Sequence, residues 1–77
     1  MTVIIAGDRR QAENYARRVG LFQNEWRHVN DIHQVRGMVD YSIVYTGQYY
    51  HNKVYLDKES RAELELRTKV KPIYDEK

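Results

Sequence analysis

The 77-residue chain has no cysteine, so neither a disulfide nor a thiolate zinc site can hold it together. Its single proline is Pro72 and it has only four glycines, so no Pro/Gly-rich linker divides it. No apolar run approaches the ~18 residues of a membrane span, and no basic leader precedes a hydrophobic stretch. The expectation is a cytoplasmic protein with no membrane partner. Charge of one sign is scarce too, because 13 basic residues against 11 acidic ones leave +2. A protein that followed nucleic acid by electrostatics alone would be more lopsided. At this length there is room for one core, and such a chain buries only about 60% of the surface it exposes when unfolded. Self-association or a partner is an economical source of the missing burial.

What is present is patterned. "TVIIA" (2–6) is a continuous, mostly β-branched run, the mark of a strand covered on both faces. Asp8 stands as N-cap for a helix beginning at Arg9, in which Ala12, Tyr15, Ala16 and Val19 form one apolar stripe. Gly20 supplies a left-handed position beyond its end, and Leu21 can fold back on the last turn in a Schellman motif. "EWRHV" (25–29) predicts a second strand anchored by Trp26 and Val29. Asn30 or Asp31 then caps a short helix carrying Ile32 and Val35, which Gly37 closes. "YSIVY" (41–45) predicts a third strand, ended by Thr46 and Gly47.

The order β-α-β-α-β, with connections long enough for parallel crossovers, gives an α/β fold. It has a small three-stranded parallel sheet in the order 2-1-3, flanked by two or three helices. The C-terminal third is ambiguous. "SRAE" (60–63) fits a capping box, yet "ELELRTKVK" (63–71) alternates at strand period. A helix over about 57–68 is the expectation, since a parallel sheet needs a second cover. Residues 1–71 form the single domain and 72–77 a tail, unless Ile73 and Tyr74 dock on a neighbour.

The turn "AGDRRQA" is where a phosphate would be sought. It has one glycine and no Lys-Ser/Thr, so the dinucleotide fingerprint and the P-loop are both absent. No cofactor is expected. Arg9 and Arg10 oppose the helix dipole by about 0.3–1 kcal/mol each when exposed, a violation of local rules of the kind found at functional sites. Ligands of open parallel sheets gather beyond the carboxyl ends of the strands. That rim comprises Gly7, Asp8, Arg9, Arg10, Asn30, Asp31, Thr46 and Gly47. These side chains serve equally as ordinary turn formers.

From Thr2 to Gly47 the chain resembles a minimal Rossmann-like domain, and "VIIAGDRRQAENYA" is similar to the opening of many nucleotide-binding and helicase-type α/β domains. Stand-alone domains this short resemble the accessory proteins of bacteriophages. That resemblance implies a regulatory binder acting on a larger host or viral protein.

"YTGQYYHNKVY" (45–55) is the most unusual stretch. Tyr49, Tyr50, His51, Lys53 and Tyr55 could stack bases and meet phosphates, anchor a protein interface, or close the core. His28, Asp31 and His33 are close in sequence, but a proposed strand and helix separate them, so no metal is expected. No Ser-His or Cys-His pairing stands out, and an enzyme is not expected. The leading reading is a non-enzymatic interaction module that pairs with a protein partner or a second copy through its sheet edge and tyrosines. The alternative is a small nucleic-acid or nucleotide binder using the rim and the 49–55 stretch.

Overall fold

The computed structural model describes residues 1–68 and 70–75. The chain runs β1 (Thr2–Ile5), α1 (Arg9–Val19), β2 (Trp26–His28), β3 (Ser42–Thr46), α2 (Lys53–Leu56), α3 (Lys58–Leu66) and β4 (Ile73–Asp75). Single 3₁₀ turns lie at Gln23–Glu25, Ile32–Val35 and Tyr49–His51. All strand pairs are parallel and the sheet order is β2-β1-β3-β4. The 2-1-3 order read from the sequence is therefore present, but the sheet has four strands and not three.

The added strand comes from the segment expected to be a tail. Pro72 disfavours the helical region for Lys71, and Ile73 and Tyr74 fall in register with Val44 and Tyr45. Asp75 fixes the end of β4, bonding the Arg18 side chain and accepting from Thr46 Oγ1 at 2.8 Å. Glu76 and Lys77 lie outside the described residues. The outer margin of β3, an open edge that a C-terminal segment, a second copy or another protein could cover, is thus covered by the chain's own C-terminal segment.

Local chemistry accounts for the other elements. Asp8 Oδ1 accepts from Gln11 N at 2.9 Å and starts α1. Gly20, at φ +80°, ends it. Leu21 N reaches Ala16 O at 2.8 Å and Gly20 N reaches Arg17 O at 3.3 Å, the two bonds of a Schellman motif. The helix expected after Asp31 is only a 3₁₀ turn, capped by Asp31 Oδ1 on His33 N at 2.9 Å. The helix expected over about 57–68 is present as α3, but the capping box read at 60–63 is not its start. α3 begins at Lys58, and the Ser60 hydroxyl donates back to Asp57 Oδ2 at 2.6 Å from inside the helix.

The sheet is packed unequally on its two faces. On one, Val3, Ile5, Val29, Ile43 and Tyr45 meet Val35, Val54 and Leu64 from the 3₁₀ turn, α2 and α3. Three hydrogen bonds sew the α3 segment to β3 and the residue before it. Tyr41 Oη donates to Leu64 O at 2.6 Å, Tyr45 Oη to Glu65 Oε2 at 2.5 Å, and Thr68 Oγ1 to Tyr41 O at 2.6 Å. These fixed partners favour helix over the strand period of 63–71. On the other face, α1 lays Ala12 and Ala16 on Ile4, Ala6 and Trp26, with Leu21 at the margin.

One buried side chain ties the strand ends together. Asn52, only 4% exposed, donates from Nδ2 to Ala6 O at 2.9 Å and to Val29 O at 2.8 Å. Its Oδ1 accepts from Val54 N at 2.9 Å. Asn52→Ala is expected to lower stability by about 2–4 kcal/mol, because it strands two carbonyls and one N–H. Asn52→Asp should cost more, since a carboxylate would face both carbonyls with nothing to donate. Urea unfolding followed by circular dichroism checks both.

Candidate functional site

Beyond the carboxyl ends of β1 and β2 lies a cleft of about 310 Å³, lined by Gly7, Asp8, Arg9, His28, Asn30, His51, Asn52 and Lys53. Two separate sequence arguments converge here. Gly7, Asp8, Arg9 and Asn30 come from the strand rim, His51 and Lys53 from the tyrosine-rich stretch. The Asn52 bonds bring them together, because they join the ends of β1 and β2 to the start of α2. A second hollow of about 270 Å³, with Asp31, His33 and Asp57 on its wall, shares Asn30 and Lys53 with the first.

Nitrogen-bearing side chains dominate the main cleft. Arg9 extends its guanidinium over Trp26 at 5.5 Å and pairs with Glu13 at 3.2 Å. Lys53 and His51 are exposed. The one carboxylate on the wall, Asp8, already accepts from the α1 backbone. His28 is half-buried, with Nε2 3.4 Å from Ala6 O. Burial pushes its imidazole below the ordinary 6.5, the Ala6 carbonyl opposes that fall, and the Arg9 charge adds to it.

Other candidates fall elsewhere. Thr46 and Gly47 lie across β1, in a shallow hollow of about 170 Å³ with Gln11, Tyr15, Arg18 and Asp75. Here the question raised by the β1 turn has an internal answer. Gln11 Oε1 accepts from Gly7 N at 2.9 Å and from Gln48 N at 2.8 Å, the place where an anion would meet the two loops. The glycines make room for it. A Cβ on Gly7 would lie 2.8 Å from Gln11 Oε1, and one on Gly47 only 2.4 Å away. Arg10 is exposed on α1 and lines none of these hollows.

The tyrosines divide. Tyr49 and Tyr55 pack against the core, their ring centroids 5.6 and 5.3 Å from that of fully buried Tyr45. Tyr50 remains half-exposed, set edge-on against Tyr49 and tilted over His51. His33 parts from His28, its Nδ1 turned to Arg36 at 2.7 Å. Among the described residues no three His, Asp or Glu side chains gather to hold a metal, and no helix is long and apolar enough to cross a membrane. Sequence reading missed Asn52 and Gln11. An Asn before "KVYL" is a legible cap, but neither side chain's long-range partners leave any local trace.

His28 makes an expected pH dependence. Its folded pKa is lowered from 6.5, so the unfolded chain binds the proton more readily. Stability held by the neutral ring is full above about 6.5 and is lost as pH falls through that value toward the folded one. Between pH 7 and pH 5 the urea midpoint should fall less in His28→Gln, which cannot titrate, than in the wild type. Equal falls would show that His28 contributes nothing. Compared with protein-family models, curated proteins and solved structures, the chain matches none.

Proposed function

We propose that the chain is a non-enzymatic, Rossmann-like binding module whose cleft beyond β1 and β2 takes an anionic group from a small, phosphate-bearing ligand. The reading is carried by His28, His51 and Lys53 lining one 310 Å³ space beside Arg9, whose guanidinium is held by Glu13 and Trp26, while the sole carboxylate there is already engaged. The position supports it, since parallel sheets bind ligands outside the carboxyl ends of their strands. So does the volume, which is at the small end of ligand sites. Among the described residues no nucleophile-base pair accompanies these groups, so binding and not turnover is the expected activity. A module of this size, resembling phage accessory proteins, would use such binding to respond to a nucleotide or to a phosphorylated end.

Titration with pyrophosphate or a nucleoside monophosphate, followed by amide NMR, tests it. Saturable shifts are expected at Gly7, Asn30 and Lys53, with a dissociation constant of about 1 mM or tighter. Lys53→Gln combined with His51→Gln should weaken binding at least about tenfold, a loss of ~1.4 kcal/mol. Shifts scattered over the whole surface would count against the cleft.

A second reading, docking on a protein or a second copy, is favoured by exposed apolar groups at the β4 edge. Ile73 and Tyr74 are 52% and 51% exposed there, and Tyr50 is 50% exposed nearby in the tyrosine cluster. Light scattering over a concentration series should then show a dimer that Ile73→Lys disperses. A monomer at all concentrations would remove the self-association arm.

A further inference from the structure

α1 concentrates the charge of the molecule. Its four arginines and one glutamate sum to +3, whereas the whole chain carries +2. The rest of the protein is therefore slightly acidic, and the positive field belongs to one helix. Along the side opposite buried Ala12 and Ala16 run Arg10, Asn14, Arg17 and Arg18, all exposed, at helical spacing. The neighbouring acids are occupied. Glu13 pairs with Arg9, Asp75 with Arg18 and Thr46, and Asp8 caps the helix. Among the described residues Arg10 and Arg17 make no ion pair. Arg10 also sits in a first turn that holds no acidic residue, where a cation opposes the dipole. Helix stability alone does not explain it.

The shape is equally specific. α1 is the only α-helix on its side of the sheet among the described residues, and it stands between two hollows. One of about 250 Å³ lies toward Trp26 and Leu21, the other of about 170 Å³ toward Thr46 and Asp75. A helix with its side chains is about 10–12 Å across, and the major groove of B-form DNA is ~12 Å wide. Arg10 and Arg17 are about 10 Å apart along the axis, so one approach lets both meet phosphates along the groove. The deep, narrow major groove of A-form RNA would not admit the same ridge. From this ridge and its two unpaired arginines, Arg10 and Arg17, we infer that α1 docks into the major groove of duplex DNA, a surface distinct from the cleft beyond β1 and β2 and independent of its role.

Fluorescence anisotropy of the full chain with a labelled duplex of about 20 base pairs tests the inference. At about 150 mM salt the dissociation constant should fall in the nonspecific range of ~1–100 μM, and affinity should drop steeply as salt rises. Arg10→Gln with Arg17→Gln should reduce the log–log salt slope by about 2, one for each phosphate no longer neutralised. Circular dichroism should be unchanged, since both side chains are exposed and unpaired. Lys53→Gln should leave the slope as in the wild type. No binding, binding unaffected by the double substitution, a slope reduced equally by Lys53→Gln, or equal affinity for the single strand would each overturn the inference.

Discussion

Parallel strands diverge as they leave a sheet, and their last carbonyls have no neighbour to accept from. In this protein the amide of Asn52 closes that gap for two strands at once. The geometry needs two donors and one acceptor within a single short side chain, and the carboxamide is the group that supplies them. A hydroxyl could satisfy at most one of the two carbonyls. Because Asn52 also receives Val54 N, the position of α2, and with it Lys53, is set by the ends of β1 and β2. The cleft exists because a structural bond places its walls. Gln11 performs the corresponding task on the other side of β1, holding the Gly7 and Gln48 amides. Two carboxamides thus take up backbone groups on either side of β1.

The inequality of the two faces follows from what packs on them. Leu64, Val54, Val35 and the buried tyrosines fill one side with large groups that leave little outside. On the other, two alanines let α1 approach closely, but they bury little and leave most of the helix circumference in water. Such a helix must be polar over a wide arc, and among the described residues its Arg10 and Arg17 are held by no ion pair. The sheet margins are guarded by brevity. β2 and β4 have three residues each, and Arg27 and Asp75 place charges on them. This blunts edge pairing and weakens the economy argument for a partner strand, while the apolar groups at Ile73 and Tyr74 keep it alive.

The legible parts of the fold were those encoded by near neighbours. The β-branched run of 2–6 announced a strand buried on both faces, and Val3, Ile4, Ile5 and Ala6 are all fully buried. Asp8 and Gly20 bracketed α1 through caps whose partners lie within four residues. β4 left no comparable signal, since three residues carry no readable period and its anchors Arg18 and Thr46 are 57 and 29 positions away from Asp75. Four of the eight residues lining the cleft, Gly7, Asp8, Arg9 and Asn30, were visible as strand-end residues and two, His51 and Lys53, as part of the tyrosine-rich stretch. Their union depended on Asn52 reaching Ala6 across 46 positions. The tyrosines were read as one group because they are adjacent in sequence, yet a 3₁₀ turn sends Tyr49 inward and leaves Tyr50 half in water.

The same bonds constrain how this chain can hold an anion at all. A helix N-terminus attracts phosphate through free N–H groups and its dipole, but here Asp8 accepts from Gln11 N and brings a full negative charge to the spot. The loop amides of Gly7 and Gln48 are likewise taken. Backbone capture, the mechanism that glycine-rich turns exploit, has thus been closed off at the β1 turn by the chain's own side chains. What remains is attraction by side-chain cations: Lys53 in the cleft, Arg10 and Arg17 on the ridge. Exposed cations of this kind are screened over a Debye length of about 8 Å at physiological salt. Their effect is confined to ligands that come into contact, and salt weakens it. A backbone cradle would recognise the shape of a single phosphate. Spaced arginines instead reward a ligand with many phosphates at regular intervals, so the roles proposed for the ridge on α1 and for the cleft beside it call for different partners.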